Sequence, residues 1–246
     1  NDMSKLFIFG IGGTGARVLR SFTMLMAAGV QVNADEVVPI LIDPDAGNAD
    51  LTRTTTLLNN YIGIKSFLKQ PNKNRFFGTK ISNVCPNFVM ELKNTSSVTF
   101  ADYIGLNTMN PTSKALVEML FSKKNLDSDM KVGFKGNPNI GSVVLNQIVG
   151  SKDFSNFDSQ FSKGDKIFII NSIFGGTGAS GFPLLLKILR HSSAKEFVKA
   201  PTIANAVIGA VTVLPYFTIK AENTGKSSIN SSTFLSKSKS ALAYYE

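Results

Sequence analysis

The pentapeptide GGTGA occurs twice, at residues 12–16 in FGIGGTGARVL and at residues 175–179 in IFGGTGASG, about 160 residues apart. Each copy follows a short apolar run and precedes a stretch with helical spacing of apolar residues. Glycine permits positive φ and close approach of the backbone. A helix amino terminus adds unpaired N–H groups and the positive end of the helix dipole. A strand–glycine loop–helix unit is therefore a ready anion site. Two such units in one parallel sheet aim both loops at the same carboxyl edge, where one phosphate against each loop suits a di- or triphosphate.

The rest of the chain fits that requirement. KLFIF at 5–9 and VVPILI at 37–42 read as buried strands, and KIFIIN at 166–171 and AVIGAVTVL at 206–214 as further apolar strands. Helices are expected over 14–28, where Val18, Phe22, Leu25 and Met26 share a face, over 182–193, over SVVLNQIV after residue 141, and over the tail 231–245. Alternating strands and helices predict an α/β fold, a three-layer Rossmann-like parallel sheet with helices on both faces. Residues 1–246 are read as a single domain with an elaborated insertion at about 51–130, carrying helices near 50–61 and 113–124.

Composition narrows the classes. A chain of 246 residues, 43% hydrophobic and 17% charged, is long enough to bury a sizeable core. One cysteine, Cys85, excludes an intrachain disulfide framework and a thiolate metal site and fits a reducing cytoplasm. No apolar run reaches the roughly 18–20 residues of a membrane span. The net charge of +9 is spread without a basic tract, which suits a solvated surface meeting nucleotide phosphates better than a nucleic-acid footprint. His191, the only histidine, stands beside Arg190 near a helix end and reads as a capping or surface residue. Asp43 and Asp45, after the second strand, suit a Mg²⁺ ion or a simple Asp-Pro-Asp turn. Lys135 and Lys226 read as surface lysines within reach of phosphates. No catalytic residue and no metal cluster is assigned.

Taken alone, GIGGTG at 10–15 satisfies G-x-G-x-x-G and leaves three readings open. It suits a nicotinamide or flavin dinucleotide fold, with Asp43 where a ribose-binding acid belongs. It also suits the opening turn of enzymes that adenylate ubiquitin-like proteins, or glycines that merely tighten a turn. The second copy favours another family. IFGGTGASGFPLLLKILR resembles the GGGTG(S/T)G signature of the tubulin/FtsZ superfamily, followed by its Leu- and Ile-rich helix. Phe174 before Gly175, and Ala179-Ser180 in place of one small residue, depart from that pattern. FGIGGTGARVLRSF resembles the family's first glycine loop, GNPNIG at 136–141 its A-N-P-x-x-G loop, and AVTVLPYF at 210–217 its later strand and V-x-x-P-F exit.

The resemblance implies the amino-terminal nucleotide-binding part of a divergent bacterial tubulin-like protein, binding GTP or GDP with Mg²⁺ beside it. Phosphate contacts fall on Gly12, Gly13, Thr14, Gly136, Asn137, Gly175, Gly176, Thr177 and Gly178, with hydroxyl donors at Thr14 and Thr177. Asp45 matches the acid of the N-T-D-A loop, and Glu222 is the candidate for the ribose contact. The family's base-binding helix and acidic loop follow the segment matched here. Hydrolysis would therefore be completed by a neighbouring subunit in a filament of the longer protein, and this chain alone would be inactive. The rivals are an NAD- or FAD-binding oxidoreductase and a tubulin-fold interaction protein with a degenerate site. A filament that binds DNA or a DNA adaptor shares the fold and differs in its partner.

Overall fold

The computed structural model describes residues 4–68, 75–93, 95, 98–130, 134, 137–193, 195–216 and 231–246. Its strands are β1 (Lys5–Ile11), β2 (Glu36–Ile42), β3 (Lys80–Ile81), β4 (Lys166–Ser172) and β5 (Val207–Val213). All pair in parallel, in the order β3-β2-β1-β4-β5. Phe9 lies opposite Ile40 on one side and Ile169 on the other. The chain therefore steps outward from β1 through β2 to β3, returns to β4, and leaves in the other direction to β5. The strand order reverses between β1 and β4, the place where a parallel α/β sheet opens a crevice at its carboxyl edge.

The helices are α1 (Gly12–Ala27), α2 (Ala49–Phe67), α3 (Phe100–Tyr103), α4 (Pro111–Leu120), α5 (Lys123–Leu126), α6 (Pro138–Leu145), α7 (Lys152–Gln160), α8 (Gly176–His191), α9 (Ala200–Ala204) and α10 (Ser231–Tyr245). Strand alternation sorts them into two layers. Ile8, Val37, Leu41 and Ile170 pack with Leu19 and Met26 of α1 and Leu51, Leu58 and Tyr61 of α2. Phe7, Phe9, Ile40 and Ile169 face the other way, against buried residues of α6, α7, α8 and α9. The parallel three-layer α/β sheet expected from the sequence is the fold observed.

Phenylalanine rings cluster in that second layer. The Phe157 ring meets Phe7 and Phe9 edge-on, with centroids 5.2 and 5.3 Å away, and also touches Phe154 and Phe161. Edge-to-face rings add to area burial by quadrupole attraction, so one α7 residue fastens that helix to β1. Cys85 is buried in the same core, where burial and the nearby Asp153 charge push its thiol up to about 12, so it packs as an inert residue. Buried carboxylates tie the ends of elements together. Asp165 accepts from the Lys5 and Ser162 N–H groups, at 2.7 and 2.9 Å, and fixes the start of β1 beside β4.

Several boundaries differ from the sequence reading. The 113–124 helix is two, because Ser122 caps a new start by accepting from the Asn125 N–H. The helix near 50–61 runs on to Phe67, and the two-residue β3 was not expected. The largest correction concerns the second glycine loop. The sequence suggests a loop over 173–181 with its helix from 182, but α8 begins at Gly176 and takes in Thr177 through Gly181. Ala179 and Ser180, read as extra loop residues, are helical. Pro183 is thus the eighth residue of α8, where it cannot donate to the Ala179 carbonyl one turn earlier. The Tyr245 hydroxyl of α10 donates to that carbonyl instead, at 2.8 Å.

Two stability measurements follow. Phe157→Ala should cost about 3–5 kcal/mol in urea unfolding, the range for removing a buried ring. Tyr245→Phe should cost about 1 kcal/mol or somewhat more, the worth of a hydrogen bond whose carbonyl is then left unpaired; equal stability to wild type would show that water replaces the hydroxyl.

Candidate functional site

Both GGTGA segments reach the carboxyl edge of the sheet at the β1–β4 switch point, and there they touch. A Cβ built on Gly12 would lie 3.5 Å from the Thr177 Cβ and 3.6 Å from the Gly178 nitrogen. The two copies are nevertheless in different conformations. α1 starts at the first glycine of its copy, Gly12, whose φ of +71° demands glycine, whereas α8 starts at the second glycine of its copy, after an extended Gly175 with φ −95°. What they share is the fourth letter. A Cβ on Gly15 would sit 2.6 Å from the Gly10 carbonyl carbon and 2.8 Å from the Ile170 oxygen. One on Gly178 would sit 2.5 Å from the Ser172 oxygen. In each copy the helix lies directly on the strand backbone, and no side chain fits between.

The resulting cleft is about 260 Å³ and is lined by Gly12, Gly13, Thr14, Arg17, Asp43, Asp45, Asn48, Phe134, Ser172, Phe174 and the 175–178 segment. Eight of the eleven candidate positions are here: Gly12, Gly13, Thr14, Asp45, Gly175, Gly176, Thr177 and Gly178. Asn137 is not; it lines a neighbouring hollow of about 650 Å³ between α6, α8 and α10, while Phe134 of the same loop reaches the cleft. Gly136 and Glu222 lie outside the described residues, as do Lys135 and Lys226. His191 lines surface hollows at the far end of α8, away from the cleft.

Five of the helices begin with a side-chain cap. The first turns of α2, α3, α4, α5 and α7 each donate to a side chain, from Asn48, Thr99, Asn110, Ser122 and Ser151. α1, α6, α8 and α9 have no such side-chain acceptor and no acidic residue in their first turns, and of these α1 and α8 begin at the cleft. Their free N–H groups and dipole ends thus meet in one cleft. The hydroxyls of Thr14 and Thr177 line it and donate to no protein acceptor among the described residues.

Several lining or supporting residues were missed from sequence, Phe134 and Ser172 among them. Asn48 accepts from the Asp50 N–H to cap α2 and donates to Asp43 Oδ2 at 2.9 Å, while its amide lies 3.0 Å from where a Gly13 Cβ would be. Asn171, fully buried at the end of β4, donates to the Gly178 carbonyl at 3.2 Å and accepts from Thr212. Arg17 follows Gly13 and Thr14 by one helical turn, a spacing readable in the sequence. Phe174, read as a departure from a motif, packs on Phe234 of α10. The signal for Asn171 was also present, as a lone amide closing an apolar strand.

Asp43 has both oxygens engaged, Oδ1 by the Asp45 N–H at 3.0 Å and Oδ2 by Asn48. Burial raises its carboxyl to about 6, against those two hydrogen bonds, with the Asp45 charge adding to the rise. Asp45 is more open; its Oδ1 accepts from the Gly47 N–H. A hard cation suits such a carboxylate oxygen together with phosphate oxygens, so Asp45 is the residue here that fits Mg²⁺. Among the described residues no three His, Cys, Asp or Glu cluster as a metal site, and no helix is long and apolar enough to cross a membrane.

No family model and no curated protein matches the chain. Among solved structures it is similar to CetZ2 from Haloferax volcanii, described as a GTPγS-bound protofilament, at a TM-score of 0.38 and 16% identity. The match covers 98% of this chain and 56% of that one, so the chain spans about half the length of that neighbour.

The Asp43 environment has a pH consequence. Between about pH 4 and 6 the folded state holds a proton that the unfolded state has released, so Asp43's contribution makes stability fall as pH rises through this window, by about 3 kcal/mol in all. Carboxyl NMR should show Asp43 titrating near 6, and Asp43→Asn should lack its share of the slope; an ordinary titration near 3.8 would contradict the assignment.

Proposed function

We propose that this cleft binds the phosphate chain of a nucleoside triphosphate, GTP being the one that the tubulin/FtsZ resemblance implies. The observation that carries the reading is the meeting of two uncapped helix amino termini, α1 and α8, at one cleft lined by Thr14 and Thr177. Backbone N–H groups of the glycine segments would hold phosphate oxygens, and the two hydroxyls would add charge-assisted bonds. Mg²⁺, held by Asp45 and phosphate oxygens, would neutralise part of the bound charge. A hollow of 260 Å³ is below the roughly 300–1,000 Å³ of a pocket for a whole small ligand, so it accommodates the phosphate end and leaves the base to be held elsewhere. Hydrolysis, in this reading, belongs to the longer protein after self-association, and this chain binds without turnover.

Asp43 weakens the oxidoreductase alternative. A ribose-binding acid must offer oxygens to the sugar hydroxyls, whereas Asp43 is buried and each of its oxygens already accepts one hydrogen bond within its own turn.

Calorimetric titration with GTP, ATP and NAD, each with Mg²⁺, tests the proposal. Triphosphate binding should appear and should weaken about 10-fold or more in Thr14→Val and Thr177→Val, each of which removes a donor to a charged acceptor. These variants are better probes than Gly178→Val, which would force the helix off Ser172. Binding of NAD alone would overturn the proposal in favour of a dinucleotide enzyme, and binding of none would favour an interaction protein with a degenerate site.

A further inference from the structure

Resting on the reading that the cleft takes a polyphosphate, we infer that Arg17 is the side chain that neutralises it, and that it does so by exchanging Asp50 for a phosphate oxygen. Arg17 is the one cation among the described residues that line the cleft, which also carries Asp43 and Asp45. A polyanion entering beside two carboxyl groups needs a compensating charge on the protein side. The position of Arg17 on α1, three and four residues after Thr14 and Gly13, sets it on the helix face that the first glycine loop begins.

Its present partner is poorly placed to retain it. Arg17 Nε lies 3.2 Å from Asp50 Oδ2, and the Arg17 side chain is 45% exposed. An ion pair this open to water contributes little, whereas a guanidinium on a phosphate makes directional, charge-assisted bonds of the stronger kind. Asp50 would not be orphaned by the exchange. Arg20 Nη1 lies 3.5 Å from its other oxygen and is less exposed, so α1 and α2 remain joined when Arg17 leaves. Asp50 also sits in the first turn of α2, where the helix dipole favours its charge. The two arginines therefore divide two tasks, Arg20 keeping the helix pair and Arg17 serving the cleft.

The same pair predicts opposite effects for its two members, which a purely structural staple does not. Affinities for GTP and for inorganic tripolyphosphate, each with Mg²⁺, are measured by calorimetry on the wild type, Arg17→Gln, Asp50→Asn and the double variant, with thermal unfolding to establish that each is folded. Arg17→Gln should weaken both ligands about 10- to 100-fold, with partial recovery in Arg17→Lys. Asp50→Asn should strengthen both about 2- to 5-fold by releasing Arg17, and that gain should vanish in the double variant. Wild-type affinity in Arg17→Gln, or weaker binding in Asp50→Asn, would overturn the exchange while leaving the cleft reading intact. If Arg17→Gln does not fold, the direction of the Asp50→Asn change decides alone. Failure of the wild type to bind either ligand at millimolar concentration would instead remove the cleft reading on which the inference rests.

Discussion

Two backbone-on-backbone contacts set the geometry on which the rest of this structure depends. Gly15 lies against Gly10 and Ile170, and Gly178 lies against Ser172, with no room for a side chain at either crossing. Because nothing separates helix from strand, the amino ends of α1 and α8 are drawn down to the carboxyl edge of β1 and β4. Those strands are neighbours in the sheet, so the two ends converge. The repeated pentapeptide is therefore a repeated packing solution first. Its use for anions follows from where that packing leaves the N–H groups.

Around this centre the chain invests polar side chains where the backbone would otherwise be unpaired. Asn171 holds the Gly178 carbonyl, Asn48 caps α2 and restrains Asp43, and Asp158 accepts from the Val198 and Lys199 N–H groups between α8 and α9. Among the described residues no buried side-chain N or O atom lacks a hydrogen-bond partner. Against that background the first turns of α1 and α8, open to one shared cleft, are donors placed for something other than the protein itself.

Much of this was legible in the sequence. The four longer strands were readable as apolar runs of strand length; β1, β2 and β4 are covered on both faces and have no polar side to show, whereas β5, equally apolar, lies at the sheet edge with Val207 and Val211 exposed. The glycine loops were readable because few other patterns need that residue so densely. What escaped was fixed by tertiary contact. The start of α8 was obscured by Pro183, which normally marks a first turn but here is tolerated because Tyr245 supplies the missing donor. Arg17 and Asn48 carry no motif of their own; they matter through helical phase and a cap, which only the approach of α1 to α2 and of β2 to the cleft makes visible. The 51–130 segment gave least, and it includes Phe77, Asn87 and Phe88 at positive φ, conformations that no local preference for bulky residues would suggest.

The proline within α8 also links that helix to α10. Carboxyl-ward of Pro183 the helix is bonded to itself and packed into the core through Leu185, Ile188 and Leu189. Ahead of it, the short segment bearing Thr177 and Gly178 depends for its last carbonyl on the final tyrosine of α10. The first turns of α8 are therefore tied sideways to α10, through Tyr245 and through Phe174 against Phe234, as well as along their own axis.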